Sequence, residues 1–418
     1  MDIPVVFSTD ENYLFYTVIA ITSMAEHAGR DTFYRIYLLV SGKLEKGHPL
    51  LTQLQERYGN IGIHLLPVDE DAFGGVHINN PHVTKATFYR LLLSELLRDD
   101  ICIYLDSDVI VNTDLQQLFR TQLGDAYIGG VRDLWIDFLP DADRERRRER
   151  SRIPSMDQYV NAGVLLFNLK NLRRDHMAER FRAHMEIDYP YEDQDILNVC
   201  CYDRIVHLPA RWNLFTLFMG RLGEMEKKGI DRNTVMAFGE RKGIIHYATP
   251  FIRPWESRRF LCNDIWWEYA GRWQDSREYR EMEKSMERQE AGYGGKRLAA
   301  YCRDYKTICI WGFTEQGRKI YTSLEAAGAA GKICFIDMDP EKRKFTYCGS
   351  PVLAFLPEAY RPEKTLYILA GQKSGNEVRQ MLRRAGIRDA DIVRYIRKDV
   401  VYYQCLRPEF DEEEDGNA

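Results

Sequence analysis

Over the first 270 residues, short apolar runs alternate with stretches whose apolar residues recur at helical spacing. Ile3–Phe7, Tyr34–Val40, Ile61–Leu66, Ile101–Leu105 and Ala126–Val131 read as strands, and Tyr13–Ala25, Leu50–Tyr58 and Thr87–Leu97 as helices between them. Alternation of this kind predicts an α/β layer with a mostly parallel sheet, in which ligands bind beyond the carboxyl ends of the strands.

The pattern then breaks and restarts. From Trp255 to Glu290 the chain is polar, charged and helix-permissive, and it closes at Gly292-Tyr-Gly-Gly295. Beyond Leu298, strand Thr307–Trp311 meets Gly312–Gly317, a helix runs to about Ala327, and strand Lys332–Asp337 follows. A further strand, Thr365–Ala370, precedes helix Asn376–Ala385. A chain of 418 residues has room for two or three domains. The expected organisation is an α/β domain over 1–270, a helical linker over 271–296, a smaller Rossmann-like α/β domain over 297–405, and an acidic tail over 406–418. In the second domain a dinucleotide fingerprint would need glycine where Thr314 stands, although Asp337 lies at about the distance of a ribose-binding acid. The expectation there is an interaction or homo-oligomerisation module rather than an NAD site.

Charge and cysteine usage narrow the function. Lys and Arg number 58 against 63 Asp and Glu, a net charge of −5, which argues against bulk nucleic-acid binding. The nine cysteines include no C-x-x-C pair and read as reduced, mostly buried thiols of a cytosolic protein. No apolar stretch approaches the ~18 residues of a membrane span, and the N-terminus lacks the basic region of a signal peptide. The expected location is cytoplasmic, with peripheral attachment to the inner face of the membrane as its extension.

Four segments carry chemistry. In Ile101–Val111 an apolar strand ends in Asp106-Ser107-Asp108; residues i and i+2 of a strand share a side, so both carboxylates are expected at one edge. Two hard oxygen ligands suit Mg²⁺ or Mn²⁺ bound together with phosphate. Ile244–His246 reads as a strand delivering an imidazole, and a nitrogen ligand of that kind favours Mn²⁺. Asn161 and Gly163 sit at the mouth of an apolar strand, as polar substrate contacts or as a tight turn. Glu192-Asp193-Gln194-Asp195 opens a helix, where Asp193 would otherwise serve as its N-cap. Among weaker signals, Asp143–Arg152 holds six arginines with interleaved acids, which reads as a solvated helix, or else as a lid or patch meeting anionic phosphate or lipid headgroups. Trp266, Trp267 and Trp273 read as packing residues.

These four pieces, in this order and over about residues 1–260, resemble the family 8 retaining glycosyltransferases, which use nucleotide-diphosphate sugars on a GT-A fold and include the glycogenins and bacterial lipopolysaccharide α-galactosyl- and α-glucosyltransferases. The resemblance implies that Asp106 and Asp108 are the D-x-D metal ligands, with Asp106 also near the ribose, and that His246 is the third ligand. Asp10, Asn12 and Tyr13, in STDENYLFY, match the segment that holds uridine. Arg90 matches the arginine that reaches the donor sugar and diphosphate; Asp133, Asn161, Asp193 and Gln194 match the residues lining the donor sugar. The family's H-x-x-G-x-x-K-P-W loop reads HYATPFIRPW here: Thr249 replaces the glycine, Arg253 the lysine, and the loop is one residue longer. Arginine can still meet phosphate, with a different reach. Gln194 is a poor nucleophile, which favours front-face attack over double displacement. The implied activity is Mn²⁺-dependent transfer, with Mg²⁺ as a substitute, of galactose or glucose from a UDP-sugar to a glycan hydroxyl, free or lipid-linked, in surface polysaccharide or lipopolysaccharide synthesis. The alternatives are an NAD- or nucleotide-sugar-dependent oxidoreductase or epimerase acting through residues 298–400, and a non-catalytic sugar-nucleotide sensor.

Overall fold

The computed structural model describes residues 1–41, 44, 47–73, 75–78, 84–249, 253–291, 295–329, 331–370 and 375–395. The chain divides into two compact units, one comprising Met1–Pro250 with Glu268–Ala270, the other Phe251–Trp267 with Gly271–Ala418. Among the described residues no helix is long and apolar enough to cross a membrane.

The first unit contains strands β1 (Asp2–Thr9), β2 (Phe33–Ser41), β3 (Ile61–Val68), β4 (Ile101–Leu105), β5 (Val109–Val111), β6 (Ile128–Arg132), β7 (Val160–Asn168), β8 (Ile205–His207), β9 (Leu214–Phe215) and β10 (Ile244–His246). Seven form one sheet in the order β3-β2-β1-β4-β7-β6-β8. Pairing is parallel throughout except at β7, which runs antiparallel to both β4 and β6. The fully apolar runs noted in the sequence are the central strands: Ile3, Val5, Val6, Phe7, Ile103, Leu105 and Val164–Phe167 are inaccessible to solvent. The helix Leu14–Glu26 is buried on nearly every face because it lies inside the unit, and its polar residues are spent on neighbouring loops. Thr17 Oγ1 donates to Ser107 Oγ (2.8 Å), and Ser23 Oγ accepts from the Val111 amide (2.9 Å).

A second, three-stranded sheet, β5-β10-β9, completes the unit. It changes the expected setting of the two carboxylates. The chain leaves the large sheet at Leu105 and enters the small one at Val109, so Asp106 and Asp108 lie in the crossing between sheets rather than on a continuing strand. The antiparallel register of β5 and β10 sets His246 opposite Val109, beside them. Two element boundaries also differ. The helix expected over Thr87–Leu97 is a 3₁₀ segment, Lys85–Leu92, followed by a single α turn, Leu93–Leu96. Arg90 Nε donates to the Thr87 carbonyl (2.9 Å), a bond that competes with regular α geometry there. The strand expected over Ala126–Val131 is displaced to Ile128–Arg132, with a register irregularity at Gly130–Arg132.

The second unit holds a six-stranded sheet built from β11 (Thr307–Trp311), β12 (Lys332–Ile336), β13 (Thr346–Tyr347), β14 (Ser350–Leu353), β15 (Thr365–Leu369) and β16 (Ile392–Arg394), in the order β13-β14-β12-β11-β15-β16. Only the β13–β14 pair is antiparallel. Both faces are covered: Ile308 and Ile310 join one core with Ile320 and Leu324, whereas Cys309 and Trp311 join another with Leu382 and Ile387. Trp266, Trp267 and Trp273 are buried, and Trp266 packs against Trp255 and Trp267 with ring centroids 5.6 and 5.5 Å apart. The expected acidic tail, and 292–294 of the expected linker, lie outside the described residues.

Candidate active site

Backbone hydrogen bonds hold the two carboxylates in place before their side chains act. The Asp106 amide donates to Gly163 O of β7 (2.8 Å), and the Asp108 carbonyl accepts from the Tyr247 amide, next to His246 (2.9 Å). The side chains then converge: His246 Nε2 lies 3.2 Å from Asp108 Oδ1 and 3.9 Å from Asp106 Oδ2, and one ligand atom from each residue falls within 4.8 Å of the others. His246 and Asp108 are buried. The two carboxylates repel one another unless positive charge lies near them, and an O,O,N donor set suits a divalent transition metal. The residues therefore fit a cation. Gly163 is required beside them: a Cβ there would stand 2.2 Å from His246 Cε1 and 2.8 Å from Asp106 Oδ2.

Arg90 is buried and ties the cation ligands to the neighbouring wall. Its guanidinium donates to Asp106 Oδ1 (2.8 Å) and Ala162 O (2.6 Å), lies 3.1 Å from Asp193 Oδ2, and sits 4.3 Å over the Tyr104 ring. Burial works against its charge, but Asp106 and Asp193 outweigh burial and hold its proton more firmly than usual. Asp193 does not cap its helix. The helix Glu192–Cys200 begins after Tyr191, whose amide donates to Asp195 Oδ2 (2.9 Å), leaving Asp193 to Arg90. Burial pushes the Asp193 carboxyl up to about 7, against the pull of Arg90 and with a further push from Asp106. Burial also raises Asp133, opposed by Arg147.

Gln194 joins most of the remaining wall. Its Oε1 accepts from Asn161 Nδ2 (2.8 Å) and the Ala162 amide (3.0 Å), and its Nε2 donates to Asp133 Oδ2 (3.0 Å) and Tyr159 Oη (3.2 Å). Asn161 Oδ1 in turn accepts from the Gly163 amide (2.8 Å) and Asn213 Nδ2 (2.9 Å), so Asn161 is held by a strand rather than a turn.

Asp10, Asn12 and Tyr13 follow the carboxyl end of β1, next to β4 in the sheet. Asp10 Oδ1 accepts from the Asn12 and Tyr13 amides (both 2.9 Å) and so shapes the entry to the helix Leu14–Glu26. Asn12 is exposed; Tyr13 is half-buried and edge-on to Tyr16. Thr249 is half-buried in the bend after β10, and residues 250–252 lie outside the described ones. Arg253 belongs to the second unit, 5.5 Å over the Trp255 ring.

Several residues at this site escaped the sequence reading. Asn213 is fully buried, and its Oδ1 lies 2.8 Å from His246 Nδ1; the available signal was a lone amide entering an apolar strand in Trp212-Asn-Leu-Phe215. Arg147 is the arginine of Asp143–Arg152 that turns inward. Its guanidinium lies 3.5 Å over the Tyr191 ring and 4.8 Å over Tyr159, and it donates to Tyr159 Oη (3.1 Å). Tyr159 Oη in turn donates to Asp195 Oδ1 (2.6 Å). Trp135 follows Asp133 by two residues, its amide on Asp133 Oδ1 (3.0 Å), and its indole is exposed, as is Tyr191.

Comparison with known proteins gives the family. The model of glycosyl transferase family 8 matches residues 4–259. General stress protein A of Bacillus subtilis (strain 168) is 23% identical over 261 residues, covering 60% of this chain and 87% of its own. An Escherichia coli lipopolysaccharide 1,2-glucosyltransferase is 27% identical over 261 residues, covering 59% and 71%. The crystal structure of the galactosyltransferase LgtC in complex with donor and acceptor sugar analogs superimposes with a TM-score of 0.55 at 27% identity, covering 68% of this chain and all of that one. The expected GT-A architecture is thus present, and the second unit adds a sheet of its own. The chain belongs to glycosyl transferase family 8, and it is a glycosyltransferase.

Proposed function

We propose that this protein moves a hexose, galactose or glucose, from a UDP-sugar to a hydroxyl of a growing surface glycan with retention of configuration, using Mn²⁺ or, less well, Mg²⁺. The observation that carries the reading is the convergence of Asp106, Asp108 and His246 beside the wall formed by Arg90, Asp193, Gln194 and Asp133. The activities of the lipopolysaccharide 1,2-glucosyltransferase and of the galactosyltransferase LgtC support the hexose and the glycan acceptor.

Asp106, Asp108 and His246 would hold the cation, which supplies positive charge against the charge developing on the departing diphosphate. Asp10 has a second carboxylate oxygen for a uracil N–H, and Tyr13 a ring to lie against the base. Arg90 holds Asp106 and Asp193 in place, and the N–H groups it does not give to Thr87, Ala162 and Asp106 are assigned to the donor sugar and diphosphate. Asp193, ionised, faces an oxocarbenium-like centre with negative charge. Thr249 and Arg253 are assigned to the diphosphate. Front-face attack is supported by Gln194: both its oxygen and its amide nitrogen are engaged twice, leaving no lone pair aimed outward as a nucleophile. The exposed Trp135 and Tyr191 offer apolar faces to the sugar ring of an acceptor.

The test is a thermal-shift screen of UDP-sugars with and without Mn²⁺, followed by assay of UDP release. A true donor stabilises the folded chain by mass action and releases UDP only with the cation present. Stabilisation by no UDP-sugar, or cation-independent release, would refute the reading.

A further inference from the structure

The orientation of side-chain amides is usually ambiguous, but here two backbone groups remove the ambiguity. The Ala162 and Gly163 amides of β7 can only donate. The Ala162 amide faces Gln194 at 3.0 Å and the Gly163 amide faces Asn161 at 2.8 Å, so each of those side chains must present its oxygen there. Gln194 then turns its NH₂ to Asp133 Oδ2 (3.0 Å) and Tyr159 Oη (3.2 Å). Both can accept, because the Tyr159 hydroxyl hydrogen points to Asp195 Oδ1 (2.6 Å) and leaves a lone pair for Gln194. Asn161 turns its NH₂ to Gln194 Oε1 (2.8 Å). Since Asn161 Oδ1 is an acceptor, the Asn213 atom 2.9 Å from it must be Nδ2. The Asn213 oxygen therefore faces His246 Nδ1 at 2.8 Å, and that nitrogen must carry a hydrogen. Every bond runs one way, from His246 through Asn213, Asn161 and Gln194 to the Asp133 carboxylate.

We infer that Asn213 is a positioning residue: at the end of an amide chain whose sense is set by the Ala162 and Gly163 amides, it takes the His246 Nδ1–H and so turns Nε2 towards Asp106 and Asp108 as the nitrogen left for the cation. The inference rests on the proposed cation site for its purpose, though not for its derivation. Asn213 is completely buried and His246 nearly so, so water does not replace the bond. The Phe215 ring lies 5.3 Å from the imidazole, tilted by 31°, and Gly163 leaves room for Cε1 on the other side, so the ring is clamped in this orientation. A histidine that ligates a metal through one nitrogen characteristically donates its other N–H to an oxygen. Here that oxygen belongs to a neutral amide, itself oriented by strand backbone.

The experiment uses the full-length chain, ¹⁵N-labelled at histidine and free of metal, with the His246 resonances assigned by their loss in His246→Asn. The expected spectrum shows a hydrogen on Nδ1, and Nε2 as the nitrogen whose shift moves when Zn²⁺ is added. In Asn213→Ala the hydrogen on Nδ1 should be lost, because the acceptors left beside the ring, Asp108 and Asp106, face Nε2, and Mn²⁺ affinity measured by calorimetry should fall about 10–100-fold. Asn213→Asp, which keeps an acceptor for Nδ1–H, should restore the tautomer. A His246 with no hydrogen on Nδ1 in the wild-type protein would overturn the inference, as would Asn213→Ala with Nδ1–H retained and Mn²⁺ affinity unchanged. Should Asn213→Ala not fold, the wild-type spectrum and Asn213→Asp still decide. A wild-type protein with the Nδ1–H tautomer that binds neither Mn²⁺ nor Mg²⁺ would refute the cation site and leave the tautomer assignment standing.

Discussion

Asp106 and Asp108 are two residues apart and differ in what surrounds them. Asp106 gives Oδ1 to Arg90 and Tyr104, whereas Asp108 places Oδ1 against the imidazole of His246. Asp108→Asn changes shape little and removes one ligand charge, so transfer should be abolished while the melting temperature stays near that of the wild type. Near-normal Mn²⁺-dependent turnover in that variant would refute the ligand assignment. Asp193 supplies a pH dependence. Its folded carboxyl is raised to about 7 by burial, above an unfolded value of about 4. Between those values the folded chain holds a proton that the unfolded chain has lost, so this group's contribution to stability falls as pH rises across the window. Activity should run the other way. If the ionised carboxylate faces the cationic sugar centre, kcat/KM falls as pH drops through about 7, and Asp193→Asn is both slow and without that limb. A wild-type profile flat from pH 6 to 8 would contradict this. The carboxylates were legible in the sequence because the D-x-D follows an apolar strand and three further segments accompany it in order; alone, acids at a strand end often only cap a helix or turn. Asn213 was not, because an isolated buried amide has no spacing signature and its partners come from β7 and β10, far away in the chain.

At the scale of elements, the helix Asp141–Ser151 shows how one face can be read and its opposite missed. Arg146 is exposed and pairs with Asp143 (3.1 Å), and Arg148 pairs with Glu145, as interleaved charges predict. Arg147 points the other way, into Tyr159 and Tyr191, and contributes positive charge near Asp133. Composition alone could not separate these neighbours, since all are arginines on one short helix and only tertiary packing decides which turns inward. Arg147→Ala should cost on the order of 2 kcal/mol, from the lost cation–π contacts and the hydrogen bond to Tyr159. For a unit of this size that corresponds to about 4–8 °C in melting temperature. Because Tyr159 also receives Gln194 Nε2, kcat should fall as well. Arg146→Ala should change stability by less than about 0.5 kcal/mol, as exposed pairs do. Equal effects of the two substitutions in differential scanning calorimetry would show that the inward orientation of Arg147 carries no energy. Strands such as β1, β4, β11 and β15 were legible because each is a nearly continuous apolar run. The antiparallel insertion of β7 and the second sheet β5-β10-β9 were not, since three- and two-residue strands such as β5 and β9 carry no period of their own.

At the scale of the whole molecule, every candidate residue of the transfer site except Arg253 belongs to the first unit, and the second has a parallel sheet of a kind that elsewhere binds dinucleotides. Its first strand–helix turn is made differently. Gly312 adopts φ 105° to start the turn, and Gly317 lies so close to the Gly312 carbonyl that a Cβ would stand 2.2 Å from it; both glycines are used by packing. Between them Thr314 caps the helix Glu315–Ala326 through its hydroxyl, which accepts from the Gly317 amide (3.2 Å). The amide of Phe313, where a pyrophosphate would seek donors, instead gives its hydrogen to Asp337 Oδ2 (2.8 Å). The same carboxylate accepts from Lys342 Nζ (3.1 Å) and, through Oδ1, from the Asp339 amide (3.0 Å). An acid at the end of the second strand that would hold a ribose is therefore occupied by its own loop, and a dinucleotide would have to break three bonds to reach it. The full-length protein should accordingly show no thermal stabilisation by NAD or NADP at millimolar concentration, while a UDP-sugar with Mn²⁺ raises its melting temperature. The comparison is made in one sample, so a failure of the protein to fold cannot imitate the result. Micromolar binding of NAD, detected by calorimetry and lost in Asp337→Ala, would overturn the argument and give the second unit a cofactor of its own.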